Sequence, residues 1–94
     1  MDFEWDDAKA KANVQKHGVS FHAAAEALAG WVVRKRDLRF DYGEDRWVAI
    51  GRHGGTVVVV AFTLRGATVR IISARRANRH ERRIYDDATQ DRLQ

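Results

Sequence analysis

Apolar positions recur at a helical spacing in the first part of the chain and at a strand spacing afterwards, and the change falls at Gly30. Asp6 and Asp7 open an alanine-rich stretch (Ala8, Ala10, Ala12) that Lys16-His17-Gly18 closes. Acidic groups favour a helix N-terminus, alanine is the strongest helix former, and basic groups followed by glycine are a stop signal. Val19 supplies the apolar contact that often follows such a cap. Ser20 then caps a second predicted helix, Phe21 to Ala29, which ends at Gly30. Phe21, Ala24, Ala25 and Leu28 share one face of it, small-sided enough to approach a sheet closely.

Strand patterns follow. Trp31-Val32-Val33 begins a strand that runs toward Leu38, with Arg34 and Arg36 alternating along it, and Asp41-Tyr42-Gly43 reads as a loop. Arg46 to Arg52 is a second strand, turned by His53-Gly54-Gly55. Val57 to Phe62 is apolar on both faces, as in a central strand covered on both sides. Arg65-Gly66 turns the chain again, Val69 to Ala74 forms the last strand, and a helix runs from Ala77 to about Thr89. The expected fold is α+β: two N-terminal helices, a four-stranded antiparallel meander and a C-terminal helix, in one domain spanning residues 1–94.

Charge sharpens this picture. The 94 residues carry 17 Lys and Arg against 13 Asp and Glu, a net charge of +4, but the surplus is uneven. The first 30 residues are net acidic, whereas Arg65 to Arg83 holds seven arginines and a single acid, Glu81. Arginine's planar fork suits phosphate, so this segment points to a polyanion, nucleic acid foremost. The absence of cysteine excludes a disulfide framework and any Cys-ligated metal. There is no apolar run long enough to cross a bilayer and no signal-peptide pattern in the acidic N-terminus, so a cytoplasmic protein without membrane partners is expected.

Strand alternation places Val69, Ile71, Ser73 and Arg75 on one face and Arg70, Ile72, Ala74 and Arg76 on the other, while Thr63 and Arg65 share a side. Arg65 is therefore expected beside some of Arg70, Arg75 and Arg76, with Arg79, Arg82 and Arg83 added from one face of the last helix. Such a cluster can hold a phosphodiester and stabilise charge developing on it. Arginine stays protonated, so cleavage needs a base from His17, His53, His80, Glu81, Tyr85 or Lys16. RNA carries its own nucleophile in the 2′-hydroxyl, so positioning, anion stabilisation and one weak base suffice. No glycine-rich phosphate loop, zinc-binding histidine pair or nucleophile elbow is present, and neither metal nor cofactor is expected. Trp5, Trp31 and Trp47 border apolar elements and read as core residues, and His17 as a helix C-terminal residue favoured by the dipole.

Trp5-Asp6 with Lys9, Asn13 and Lys16 to Phe21, then Gly43-Glu44-Asp45-Arg46-Trp47 with Ile50-Gly51, resembles the BrnT family of toxins of type II toxin–antitoxin modules. Thr63-Leu64-Arg65-Gly66, Arg70 to Ala77 and Glu81 to Tyr85 are similar to its C-terminal block, so the resemblance runs from about Phe3 to Asp86. The chain departs from the family in reading Ala29-Gly30-Trp31, without proline, before the first strand. The resemblance implies a RelE/ParE-like fold and a metal-independent endoribonuclease that arrests translation and growth. It also implies a BrnA-like ribbon-helix-helix antitoxin, and operator DNA bound through that antitoxin. Carried onto this sequence, it points to Arg65 and Arg75 at the scissile phosphate, with Glu44, Arg46, Arg70 and Tyr85 as further positions. With the residues' own chemistry, the expected site is Arg65, Arg75, His17, Glu81 and Tyr85 for catalysis, and Arg46, Arg70, Arg76, Arg79, Arg82 and Arg83 for RNA. The alternatives are a non-catalytic target-poisoning or co-repressor protein of the same fold, and direct DNA binding through the last helix.

Overall fold

Side-chain caps set the first two helices. In the computed structural model, which describes residues 1–93, α1 spans Asp7–His17 and Asp6 accepts the Lys9 backbone N–H at 2.9 Å. Gly18 ends α1 at φ 70°, donating its N–H to the Val14 carbonyl at 2.8 Å. That left-handed conformation costs a residue with a Cβ roughly 1–2 kcal/mol, which is why glycine stands there. Ser20 caps α2 (Phe21–Ala29) by accepting the Ala23 N–H at 3.0 Å. Ala27, rather than Ala25, completes the buried stripe with Phe21, Ala24 and Leu28.

The antiparallel meander forms as expected from β2 (Val33–Arg36), β3 (Arg46–His53), β4 (Thr56–Arg65) and β5 (Thr68–Arg76). A further strand, β1 (Asp2–Glu4), pairs parallel to β5 through Asp2↔Thr68, Phe3↔Val69 and Glu4↔Arg70. The sheet is therefore five-stranded and mixed, in the order β1-β5-β4-β3-β2, which corrects the four-stranded antiparallel expectation. Three residues are too few to display a period-two pattern, so β1 left no signature in the sequence. Its parallel pairing is possible because both helices intervene and return the chain along the sheet.

β2 is also shorter than expected, ending at Arg36 instead of continuing toward Leu38. Asp37 still donates its N–H to the Arg46 carbonyl at 2.7 Å, but its carboxylate then gathers the Arg39 backbone N–H, the Arg39 guanidinium and the Tyr42 hydroxyl. These local bonds replace the ladder. The last helix, α3, spans Arg79–Arg92, and Asn78 and Glu81 form a capping box at its start, two residues beyond the expected Ala77.

Helices α1 and α2 pack on one face of the sheet. The core there joins Val19, Phe21, Ala24, Ala27 and Leu28 to Ala49, Val58, Val60, Phe62, Val69, Ile71 and Ala74. Contact is close at Gly51, where a Cβ would lie 2.9 Å from Val32 Cγ1 and 3.2 Å from the Ala27 carbonyl oxygen. Asn13 is buried in this layer: its Nδ2 donates to the Val19 and Ala74 carbonyls, both at 2.8 Å, and its Oδ1 accepts the Ala74 N–H at 3.2 Å. β1 accompanies β5 only as far as Arg70, so the Asn13 amide supplies Ala74 with the bonds of the missing neighbour strand.

The β4–β5 register slips between Ala61 and Phe62: Phe62 faces Ile71 while Ala61 faces Ser73, leaving Ile72 unpaired. This bulge corrects the expected alternation. Val69, Ile71 and Ala74 point to the helical core, and Arg70, Ser73 and Arg75 share the opposite face. That opposite face is covered at one end by α3, whose buried Tyr85 lies edge-on to Trp31 at 5.6 Å with the Arg52 guanidinium 5.8 Å from its ring. No described helix is long and apolar enough to cross a membrane.

Candidate nucleic-acid interface

The registers of β2 to β5 line up the polar positions of the face turned away from α1 and α2. Arg46 stands opposite Thr63, which stands opposite Arg70; Lys35 pairs with Val48, Val48 with Ala61 and Ala61 with Ser73; Val59 pairs with Arg75. Small and apolar side chains (Val48, Val59, Ala61, Ser73) thus floor a hollow of about 630 Å³. Arg75 and Glu81 form one wall, and Lys35 to Arg39 form the other.

Arg75 is oriented by the start of α3. Its Nη1 and Nη2 donate to Glu81 Oε1 and Oε2 at 2.7 and 2.8 Å. Glu81 Oε1 also accepts the Asn78 N–H at 2.9 Å, and Asn78 Oδ1 accepts the Glu81 N–H at 2.8 Å. The capping box therefore fixes the carboxylate, and the carboxylate fixes the guanidinium. The hydrogen bond from Arg75 holds the Glu81 carboxyl below its ordinary range, aided by the Asn78 N–H, and the same bond raises Arg75. Both are charged at neutral pH. Arg75 keeps 44% of its side chain exposed and has N–H donors left over for an anion in the hollow.

A second cationic group stands further along the sheet. Glu44 lies between Arg46 (Nε at 3.6 Å) and Arg65 (Nη2 at 3.9 Å). The Arg46 guanidinium sits 4.1 Å from the centre of the Tyr42 ring, and Thr63 Oγ1 donates to the Asp45 carbonyl at 2.6 Å, tying the β2–β3 loop to β4. Arg70 Nη1 lies 3.8 Å from Glu4 Oε2, so the unexpected strand β1 supplies a counter-charge.

Arg65 and Arg75 share this face but do not meet. Val59, the partner of Arg75, precedes Arg65 by six residues on β4, which is about 20 Å at the rise of an extended strand. That spacing spans several nucleotides of a strand, not one phosphate group. Arg46, Arg65 and Arg70 form one cluster, and Arg75 stands with Glu81, Lys35 and Arg39 around the hollow.

The remaining expected residues lie elsewhere. His17 ends α1, in the layer on the far side of the sheet. Arg76 pairs with Val58, whose side chain enters the helical core, so Arg76 also faces away from Arg75. Tyr85 is buried against Trp31. Arg79, Arg82 and Arg83 are exposed on α3 and line a separate shallow depression with Asp86 and Asp87. His53 pairs with Glu26 at 2.8 Å, on the edge of the α2 layer. Sequence reasoning did not single out Lys35, Asp37, Arg39 or Ser73. The signal available was Asp37 two residues before Arg39, a spacing at which aspartate makes local turns.

Among the described residues no group of three or more His, Asp or Glu side chains is placed to hold a metal ion. A family model described as ribonuclease toxin, BrnT, of type II toxin–antitoxin system matches residues 5–81. A comparison with curated proteins gives no match.

Proposed function

Because this chain belongs to the BrnT family, ribonuclease toxins of type II toxin–antitoxin systems, we propose that it cuts RNA on the sheet face that carries Arg75. The observation that carries this reading is the two-pronged Arg75–Glu81 pair at the edge of a small-floored, cation-walled hollow. A strand laid along the face would meet Arg46, Arg65 and Arg70 with its flanking phosphates and Arg75 with the scissile one. The 2′-hydroxyl attacks the adjacent phosphorus, the bond to the 5′-oxygen breaks, and a cyclic phosphate is left. Charge gathers on the non-bridging oxygens during that step, where guanidinium donors stabilise it most.

The phosphate competes with Glu81 for Arg75. As it takes over the guanidinium, Glu81 loses the partner that lowers its pKa and becomes able to accept the 2′-hydroxyl proton. Glu81 is then the base, the departing 5′-oxygen takes a proton from water, and no metal is needed. Type II membership implies an antitoxin; we assign it the BrnA-like ribbon-helix-helix class, repressing the shared operon with the toxin through operator DNA. The test is incubation of purified toxin with single-stranded RNA in EDTA. Cleavage that ends in a 2′,3′-cyclic phosphate and is lost in Arg75→Ala supports the reading. Intact RNA under conditions where expression arrests growth overturns it.

A further inference from the structure

Two large apolar side chains stand exposed on the loop that walls the hollow: Leu38, 77% accessible, which lines it, and Phe40, 67% accessible, the residue after Arg39 and outside the lining itself. Their loop is built, not slack. Arg39 donates to Asp37 from its backbone N–H (3.2 Å), Nε (2.9 Å) and Nη2 (2.9 Å), the Tyr42 hydroxyl donates to the same carboxylate at 3.0 Å, and Gly43 N–H donates to Asp41 Oδ1 at 3.0 Å. Phe40 is held edge-on to Tyr42 at 5.8 Å, and the Arg39 guanidinium lies 6.0 Å from its ring. Leu38 and Arg39 line the hollow that Arg75 and Glu81 close on the other side.

We propose that Phe40, on the Leu38–Tyr42 rim, is the platform on which an RNA base stacks, seating the nucleotide next to the phosphate held by Arg75. The inference rests on the ribonuclease reading above and adds a determinant of where the strand is cut. A fixed, exposed aromatic next to a cationic channel is the arrangement that recognises unpaired nucleic acid, because every base has a face to stack while its phosphates need charge. The surroundings favour this occupant over a protein. Lys35, Arg36, Arg39 and Arg75 stand around the hollow, whereas the exposed apolar surface amounts to two side chains, far less than a protein-binding core. Stacking strength grows with the size of the base, so the rim favours a purine at the seated position.

The experiment measures binding of a short single-stranded oligonucleotide with 2′-O-methyl riboses, which cannot be cut by 2′-hydroxyl attack, across a series of salt concentrations. Phe40→Ala is expected to weaken binding roughly 5- to 150-fold, the worth of one stacked base, while the dependence on salt keeps its slope. Arg75→Ala is expected to flatten that slope, because it removes a phosphate contact. Phe40→Trp is expected to bind at least as tightly as the wild type. Phe40 is exposed, so the fold is retained and circular dichroism checks it. Wild-type binding by Phe40→Ala, with Arg75→Ala impaired, overturns the platform and leaves the ribonuclease reading standing. Failure of the wild type to bind or cut any RNA overturns that reading itself. Unchanged RNA binding by Phe40→Ala together with escape from antitoxin neutralisation assigns the rim to a protein and overturns the platform.

Discussion

Glu81 bonds two partners through one carboxylate: the Arg75 guanidinium at 2.7 and 2.8 Å, and the Asn78 backbone N–H at 2.9 Å. The beginning of a helix and the orientation of the proposed phosphate-binding group are thus a single hydrogen-bonded unit. Lysine cannot replace Arg75 in it, because a lysine ammonium lacks the planar fork that spans both carboxylate oxygens.

Arg75→Ala is expected to lower the RNA cleavage rate by about 10²–10³-fold, the usual worth of a donor aimed at developing charge. Arg75→Lys should recover only a small part of it. A half-exposed ion pair contributes about 0–1 kcal/mol, so both variants should unfold in urea close to the wild-type midpoint. Cleavage assays beside urea curves separate the two quantities.

Glu81→Gln and Glu81→Ala divide the roles of the carboxylate. Glutamine can still close the capping box, so Glu81→Gln should keep α3 in place and lose cleavage. Glu81→Ala loses cleavage and the helix-start contact together, with a further stability loss of about 1 kcal/mol. Equal cleavage by Glu81→Gln and the wild type would remove Glu81 from the chemistry.

Asn13→Ala is expected to cost at least about 3 kcal/mol of stability. It strips bonds from the Val19 carbonyl and from both backbone groups of Ala74, and buried groups left unpaired cost about 1–3 kcal/mol each. Asn13→Leu should be no better, since no apolar side chain can stand in for the missing strand. Chemical denaturation measures both.

Gly51→Ala tests how closely α2 approaches the sheet. Its Cβ would meet a backbone oxygen at 3.2 Å as well as the Val32 side chain, and the helix must shift to admit it. Overpacking of this kind costs about 1–3 kcal/mol. Gly55→Ala, where a Cβ meets nothing within 4 Å, is the control and should lie near the wild type in thermal melting.

Acid should destabilise the fold in a defined direction. Asp37 is held far below its ordinary 3.8, first by the Arg39 side-chain hydrogen bond, and Glu81 below its ordinary 4.5, first by Arg75. A lowered carboxylate contributes stability that is complete above its unfolded pKa and fades as pH falls through its folded one. Urea midpoints should therefore hold steady above about pH 5 and decline below it, with a shallower decline in Asp37→Asn.

The helices were legible because their signals are local. Asp6, Gly18, Ser20 and Gly30 cap or stop the chain through bonds to residues a few positions away. The meander was legible for the same reason, since its turns and apolar runs adjoin one another in sequence. β1 was not, because its pairing with Thr68–Arg70 depends on residues more than sixty positions away. The site shows a similar division. Composition singled out an arginine-dense segment, but not the side of the sheet on which each member lies, and so Arg70 and Arg75 were separated while Arg76 was grouped with Arg70. His17 and Tyr85 carry chemistry that suits catalysis, yet their neighbours in space make one the end of a packed helix and the other part of an aromatic contact with Trp31.

Arg70 and Arg75 are five positions apart, an odd number, and an unbroken strand would send them to opposite sides of the sheet. Unpaired Ile72 restores parity. The working surface is therefore written in a counting rule as well as in residue identities. Straightening the strand at Ile72 without removing a residue must either turn Arg75 into the helical layer or drag Val69 and Ile71 out of it, whereas removing Ile72 leaves Arg70 and Arg75 four positions apart and on one side. Paired insertions on either side of the bulge preserve the count, whereas single ones exchange interior for exterior.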